Sequence, residues 1–154
     1  MLHYNFYKSE HPSNQLLILL HGFISDSQTY MNHIEAFLTQ CNVLTIDLPG
    51  HGKDDSPTDQ IWDFPYITEQ INRVLSQFEK YKFSLLGYSM GGRVALYYAI
   101  HGQYEIKQLI LESTSPGIAD EALRKERQAI DQARGRVLEI AGIEVFVNDW
   151  EKLP

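Results

Sequence analysis

The stretch Gly87-Tyr88-Ser89-Met90-Gly91 constrains this chain more than any other, because it joins two different periodicities with almost no chain between them. Residues 83–86 are continuously apolar, as in a strand buried on both faces, and Val94, Leu96 and Ala99 follow at helical spacing. The reversal between strand and helix is therefore very tight. A glycine two positions before the serine and another two after it remove side chains that would clash in such a turn, which holds the serine hydroxyl out at the end of the strand. The Met90 amide then lies at a helix start, where donors have no intrahelical acceptor. The pattern is that of a nucleophile elbow. A glycine-rich helix start with Ser89 as an ordinary N-cap is the other arrangement these five residues allow.

A second segment favours the elbow. Leu16 to Leu20 is an unbroken apolar run ending in His21-Gly22-Phe23, as expected of a strand buried on both faces that leads into a loop. An oxyanion hole needs two preorganised donors aimed at one point, and Gly22 lets the backbone come close. The backbone amides of Phe23 and Met90 are the candidate pair.

Net charge of −7 argues against a general nucleic-acid surface, since phosphate binding requires a basic face. A small anion would have to be held at a local arginine cluster. The single cysteine, Cys41, heads the apolar stretch CNVLTIDL and is expected to be a buried strand thiol rather than a disulfide partner or metal ligand. No apolar run reaches the roughly 18 residues of a membrane span, and the N-terminus lacks a signal-like apolar core. A cytoplasmic protein with no metal, no cofactor, no nucleic acid and no membrane partner is the expectation; the oligomeric state stays open.

Strand-like pieces at 2–6, 16–20, 43–46, 83–86 and 109–111 alternate with helix-like ones near 30–39, 66–80 and 91–101, an order that predicts βαβ units and a mostly parallel sheet with flanking helices. The segment DLPGHGKDDSPTD is a loop at a strand end. From Pro116 the composition turns charged and helical, so residues 1–115 read as the core and 116–154 as the start of a helical lid, within which the chain stops.

With these motifs in place the chain resembles the α/β-hydrolase fold, and within it the 2-succinyl-6-hydroxy-2,4-cyclohexadiene-1-carboxylate synthases of menaquinone biosynthesis. The resemblance spans the whole chain but only the N-terminal part of that family. LLHGF, DLPGHG and GYSMGGRVAL are shared by many α/β-hydrolases and specify a fold. Narrower is the combination of Tyr88 to Arg93 with LESTSPGI, the arginine-bearing ERQAIDQAR and FVNDW. The resemblance implies an elimination that releases pyruvate from an enolpyruvyl-bearing, polyanionic cyclohexene, with Ser89 catalytic beside an Asp and a His. It also implies that Arg127 binds a substrate carboxylate. Arg93, about one turn into the helix, can face the pocket mouth; solvated surface roles are the alternatives for both arginines. Trp150 is either a substrate contact or a lid core aromatic, and Tyr88 either lines the pocket or packs on the sheet.

A serine becomes a useful base or nucleophile only when a histidine takes its proton and a carboxylate orients that histidine. In this fold the order is Ser, then Asp or Glu, then His. After Ser89 the one histidine is His101, in the elbow's own helix, while His21 and His51 precede the serine. Either the chain is an N-terminal piece of a synthase, the favoured expectation, or it is a short protein that kept the front half for another role. An ordinary serine esterase or thioesterase is the alternative activity. As a piece it should present a sheet edge without a partner.

Overall fold

The computed structural model describes residues 1–152. They divide into two compact units, one spanning Met1–Pro116 and a second beginning at Gly117.

The first unit is a five-stranded sheet in the order β1-β3-β2-β4-β5, built from β1 (Tyr4–Tyr7), β2 (Gln15–Leu20), β3 (Asn42–Ile46), β4 (Lys82–Tyr88) and β5 (Ile106–Glu112). β1 runs antiparallel to β3 at one edge; the other three pairings are parallel. A mostly parallel sheet is thus what the alternating pattern produces. The unbroken run 16–20 is explained by its two faces. Leu16, Ile18 and Leu20 point into one core with Ile71, Val74, Leu75, Val94, Ala95 and Tyr98, whereas Leu17 and Leu19 point into another with Val43, Tyr30 and Ile34. Successive strand side chains alternate sides, so a strand covered on both faces has no polar positions to spare.

One core is closed by α2 (Phe64–Leu75) and α3 (Met90–His101), the other by α1 (Met31–Leu38) and a short 3-10 helix, Ser27–Tyr30. α2 begins two residues earlier than the apolar pattern predicts, because the Asp63 side chain accepts the Tyr66 amide at 2.9 Å and Pro65 sits in the first turn, where its missing N–H costs nothing. It ends at Leu75, and successive turns then carry Phe78 into the core. β1 starts later than expected; Leu2 is buried, but its packing lies outside the ladder. Cys41 corrects the sequence expectation. It precedes β3 and is only partly buried, with its thiol directed at the Phe37 carbonyl, and burial pushes the thiol's pKa up.

β5 lies at the edge beyond β4, and among the described residues its outer side has no strand partner; Ile110 and Leu111 stay 44% and 41% exposed. The second unit contains α4, Glu121–Trp150, started by the Asp120 side chain accepting the Leu123 amide. The helix is broken at Gly142, whose φ of 82° and ψ of 173° are not helical. Among the described residues no helix is long and apolar enough to cross a membrane.

Candidate active site

Parallel pairing sets Leu20 beside Gly87, so the segments that leave β2 and β4 emerge side by side at the carboxyl ends of the strands. His21-Gly22-Phe23 comes from one and Ser89-Met90 from the other. Close packing at this junction leaves no room for side chains. A Cβ on Gly91 would overlap the Leu20 and His21 carbonyls, one on Gly87 would come within 2.6 Å of Gly92 Cα, and one on Gly22 would lie 2.9 Å from the Tyr88 ring. These are the contacts for which the glycines are needed.

Ser89 adopts φ 51° and ψ −112°, a conformation that non-glycine residues rarely take. It sits at the N-cap position of α3, yet its side chain makes no capping hydrogen bond. That decides between the two arrangements open to the sequence: an ordinary N-cap serine has extended backbone and spends its oxygen on a helix amide, whereas this one keeps the hydroxyl off the helix. Its backbone is well held. The Ser89 N–H donates to the Glu112 carbonyl at 2.9 Å, and its own carbonyl accepts from Gly92 N at 3.1 Å and Arg93 N at 3.3 Å.

Met90 occupies the first position of α3, where the N–H has no carbonyl four residues back within the helix. Phe23 follows Gly22 in the adjoining loop and is 41% exposed, its ring 5.8 Å from that of His51. Tyr88, the last residue of β4, lies against Gly22 and remains 40% exposed. Arg93 is exposed on the first turn of α3, with no ion-pair partner among the described residues.

Two buried polar residues that the motifs did not single out organise the loops around this junction. Asp47, 1% exposed at the end of β3, accepts the Ser27 amide at 2.8 Å, the Lys53 amide at 3.0 Å and His3 Nδ1 at 2.9 Å. Burial alone would raise its pKa, but the amides of Lys53 and Ser27, with side-chain bonds from Ser27 and His3, hold it below the usual carboxylate value. A Cβ on Gly52 would collide with this carboxylate. Tyr30 donates its hydroxyl to the Leu20 carbonyl at 2.9 Å, pinning the last residue of β2. The signal for Asp47 was its place between a β strand and a glycine-rich turn; Tyr30 carried none.

Six histidines are present, and none is hydrogen-bonded to the Ser89 hydroxyl among the described residues. His21 is fully buried, with Nδ1–H donating to the Gly22 carbonyl at 2.7 Å and Nε2 accepting the Leu48 amide at 3.0 Å. Burial lowers its pKa, assisted by His51 and opposed by the Gly22 carbonyl. His51 donates from Nδ1 to the Pro49 carbonyl at 2.9 Å. The His101 ring lies tilted against Tyr97 at the far end of α3, roughly 16 Å along the helix from its start at 1.5 Å per residue. Among the described residues no group of three or more His, Cys, Asp or Glu side chains could hold a metal ion.

Arg127 and Trp150 belong to the second unit. Within it, Arg127 Nε donates to both Asp131 carboxylate oxygens at 2.9 Å, and the Arg134 guanidinium lies 4.8 Å from the Trp150 ring. Trp150 also stacks on Phe146, and its contact with Arg134 crosses the Gly142 break.

Known proteins resemble this chain in sequence and in fold. A putative 2-succinyl-6-hydroxy-2,4-cyclohexadiene-1-carboxylate synthase of Bacillus subtilis (strain 168) is 30% identical over 143 residues, 92% of this chain and 52% of that protein. A synthase of the same name from Serratia proteamaculans (strain 568) is 34% identical over 139 residues, 90% of this chain and 53% of that one. The solved structure of MenH from S. aureus superposes with a TM-score of 0.95 at 59% identity, covering 100% of this chain and 58% of that one. The chain spans about half the length of these bacterial relatives. The alpha/beta hydrolase fold family matches residues 15–139, and with its serine turn at the carboxyl end of a parallel strand, the chain belongs to that family.

Proposed function

We propose that this chain carries the serine and oxyanion half of a 2-succinyl-6-hydroxy-2,4-cyclohexadiene-1-carboxylate synthase, with pyruvate eliminated from the enolpyruvyl precursor. The observation that carries it is the 59% identity along the whole chain to MenH from S. aureus, joined to a Ser89 whose hydroxyl is not spent on the helix. In this reading Ser89, relayed to a histidine, takes a proton from substrate carbon. The C–H electrons form a ring double bond, the C–O bond to the enolpyruvyl group breaks, and that group leaves as the enolate of pyruvate, which takes up a proton to become pyruvate. Negative charge that develops on the substrate is met by the amides of Phe23 and Met90. No water is consumed.

The substrate is a small polyanion, which an acidic protein holds only where guanidinium groups converge. Arg93 and Arg127 are the candidates for that role, Tyr88 and Trp150 are the further candidate substrate contacts, and residues 116–154 are read as the beginning of a lid. The lid role requires Arg127 to exchange Asp131 for a substrate carboxylate. Aspartate and histidine partners for Ser89 come, in this reading, from outside the sequence described. The setting is cytoplasmic and no cofactor takes part.

A chimera tests the reading: these residues replace the matching part of MenH from S. aureus, and pyruvate release is followed. Serine-dependent release, reduced by several orders of magnitude in Ser89→Ala, is expected. Alanine at Arg93 or Arg127 should cost about 1.5–3 kcal/mol in kcat/KM. Hydrolysis of simple esters without pyruvate release would move the reading to a serine esterase.

A further inference from the structure

We infer that Thr114 is a positioning residue for Ser89, its hydroxyl locking the elbow peptide from the end of β5. The inference rests on the reading of Ser89 as the reactive group. Thr114 lies in the LESTSPGI stretch, to which no chemistry has so far been attached.

A residue held at φ 51° and ψ −112° relaxes unless its surroundings over-determine it. Four hydrogen bonds do so here. The N–H donates to the Glu112 carbonyl at 2.9 Å, and the carbonyl accepts from Gly92 N at 3.1 Å, from Arg93 N at 3.3 Å and from Thr114 Oγ1 at 2.7 Å. The two helix amides turn with α3, so they cannot fix the peptide against the sheet. Glu112 and Thr114 can, because both belong to the neighbouring strand and its exit. They grip the two sides of the same residue, one at its N–H and one at its carbonyl.

The exit from β5 is shaped for this grip. Ser113 also has positive φ, 48°, which turns the chain between the Glu112 carbonyl and the Thr114 side chain. The methyl of Thr114 occupies the space where Gly92 lacks a side chain: a Cβ on Gly92 would lie 2.6 Å from Thr114 Cγ2. The second glycine of the Gly91-Gly92 pair thus admits Thr114, as Gly91 admits the carbonyls of Leu20 and His21. Hydroxyl and methyl have separable tasks: the methyl fills, and the hydroxyl holds the Ser89 peptide.

The test uses the full chain and a fluorophosphonate probe in imidazole buffer. Ser89 Oγ attacks phosphorus, the P–F bond breaks, fluoride leaves and imidazole takes the serine proton; the label is located by peptide mass spectrometry. Thr114→Val removes the hydroxyl and keeps the shape, and Thr114→Ser keeps the hydroxyl and loses the methyl. Thr114→Val is expected to label Ser89 about tenfold more slowly, as for the loss of one hydrogen bond, and its Gly92 and Arg93 amides to exchange faster with solvent while circular dichroism shows a folded chain. Thr114→Ser should restore both readouts, which a purely space-filling role would not. Wild-type labelling in Thr114→Val, or slow labelling in Thr114→Ser, overturns the inference. Should Thr114→Val not fold, Thr114→Ala takes its place under the same criterion. Equal label in Ser89→Ala instead defeats the reading of Ser89 itself, and absence of label in the wild type overturns the inference, because an elbow held for attack should react once imidazole supplies the base.

Discussion

His21 Nε2 accepts the Leu48 amide at 3.0 Å, a bond that ties the exits of β2 and β3 together and occupies the lone pair a general base needs. Nδ1–H is engaged with the Gly22 carbonyl, and burial keeps the ring neutral. His21 therefore shapes the loop that carries Phe23 and is unavailable to Ser89.

The chain alone is accordingly expected to show no serine-dependent pyruvate release or ester hydrolysis near the rate of an ordinary enzyme, about 1 per second. Purified chain and its Ser89→Ala variant should be indistinguishable at that level. Turnover at that rate, lost in Ser89→Ala, would mean that another histidine, from this chain or from a second copy, reaches the hydroxyl.

The backbone of Ser89 implies stored strain. A non-glycine residue in such a region costs on the order of 1–3 kcal/mol, partly offset in a glycine variant by the added freedom of the unfolded chain, about 0.5–1 kcal/mol. Ser89→Gly should therefore be more stable by about 1 kcal/mol in urea unfolding. A destabilised glycine variant would show that the hydroxyl, not the backbone, dominates at this site.

Stability should fall with acid in two stages. His21 has a folded pKa below its ordinary 6.5, so the unfolded chain takes up that proton first and stability declines as pH drops below 6.5, by at most about 1.4 kcal/mol per pH unit. Asp47 has a folded pKa below its ordinary 3.8; its contribution is complete above that value and is lost as pH falls further. Urea midpoints between pH 8 and 3 check both stages. His21→Asn should flatten the first and Asp47→Asn the second.

Two glycines should respond to alanine with opposite signs. At Gly91 the new methyl meets the backbone carbonyls of Leu20, the last residue of β2, and of the buried His21 that follows it, neither of which can move aside, so a loss of about 2–3 kcal/mol or more is expected. At Gly135, inside α4, nothing lies within 4 Å of the added carbon, and alanine should stabilise the helix by about 0.5–1 kcal/mol. Thermal unfolding of the two variants measures the contrast.

Local sterics made much of the fold legible. An apolar run at 16–20 is what a strand covered on both faces requires, and the run is such a strand. Boundaries moved where side chains and prolines decided them, as at Asp63 and Pro65, because capping is a matter of single hydrogen bonds rather than of periodicity. Cys41 was misplaced for a related reason: an apolar stretch does not mark where the ladder itself begins.

By itself the sequence determined the tight serine turn, since the glycines around Ser89 act over distances of a few residues and their spacing admits few backbone paths. Only the tertiary structure decided what holds that turn. Thr114 reaches the Ser89 carbonyl from 25 positions away, Asp47 the Ser27 amide from 20, and Tyr30 the Leu20 carbonyl from 10. Each pairing depends on which strand lies beside which and in what register, Leu20 against Gly87 and Tyr88 against Glu112. Strand order is settled by packing the whole sheet between its helices, so a buried polar group's partner is known only once the sheet is assembled.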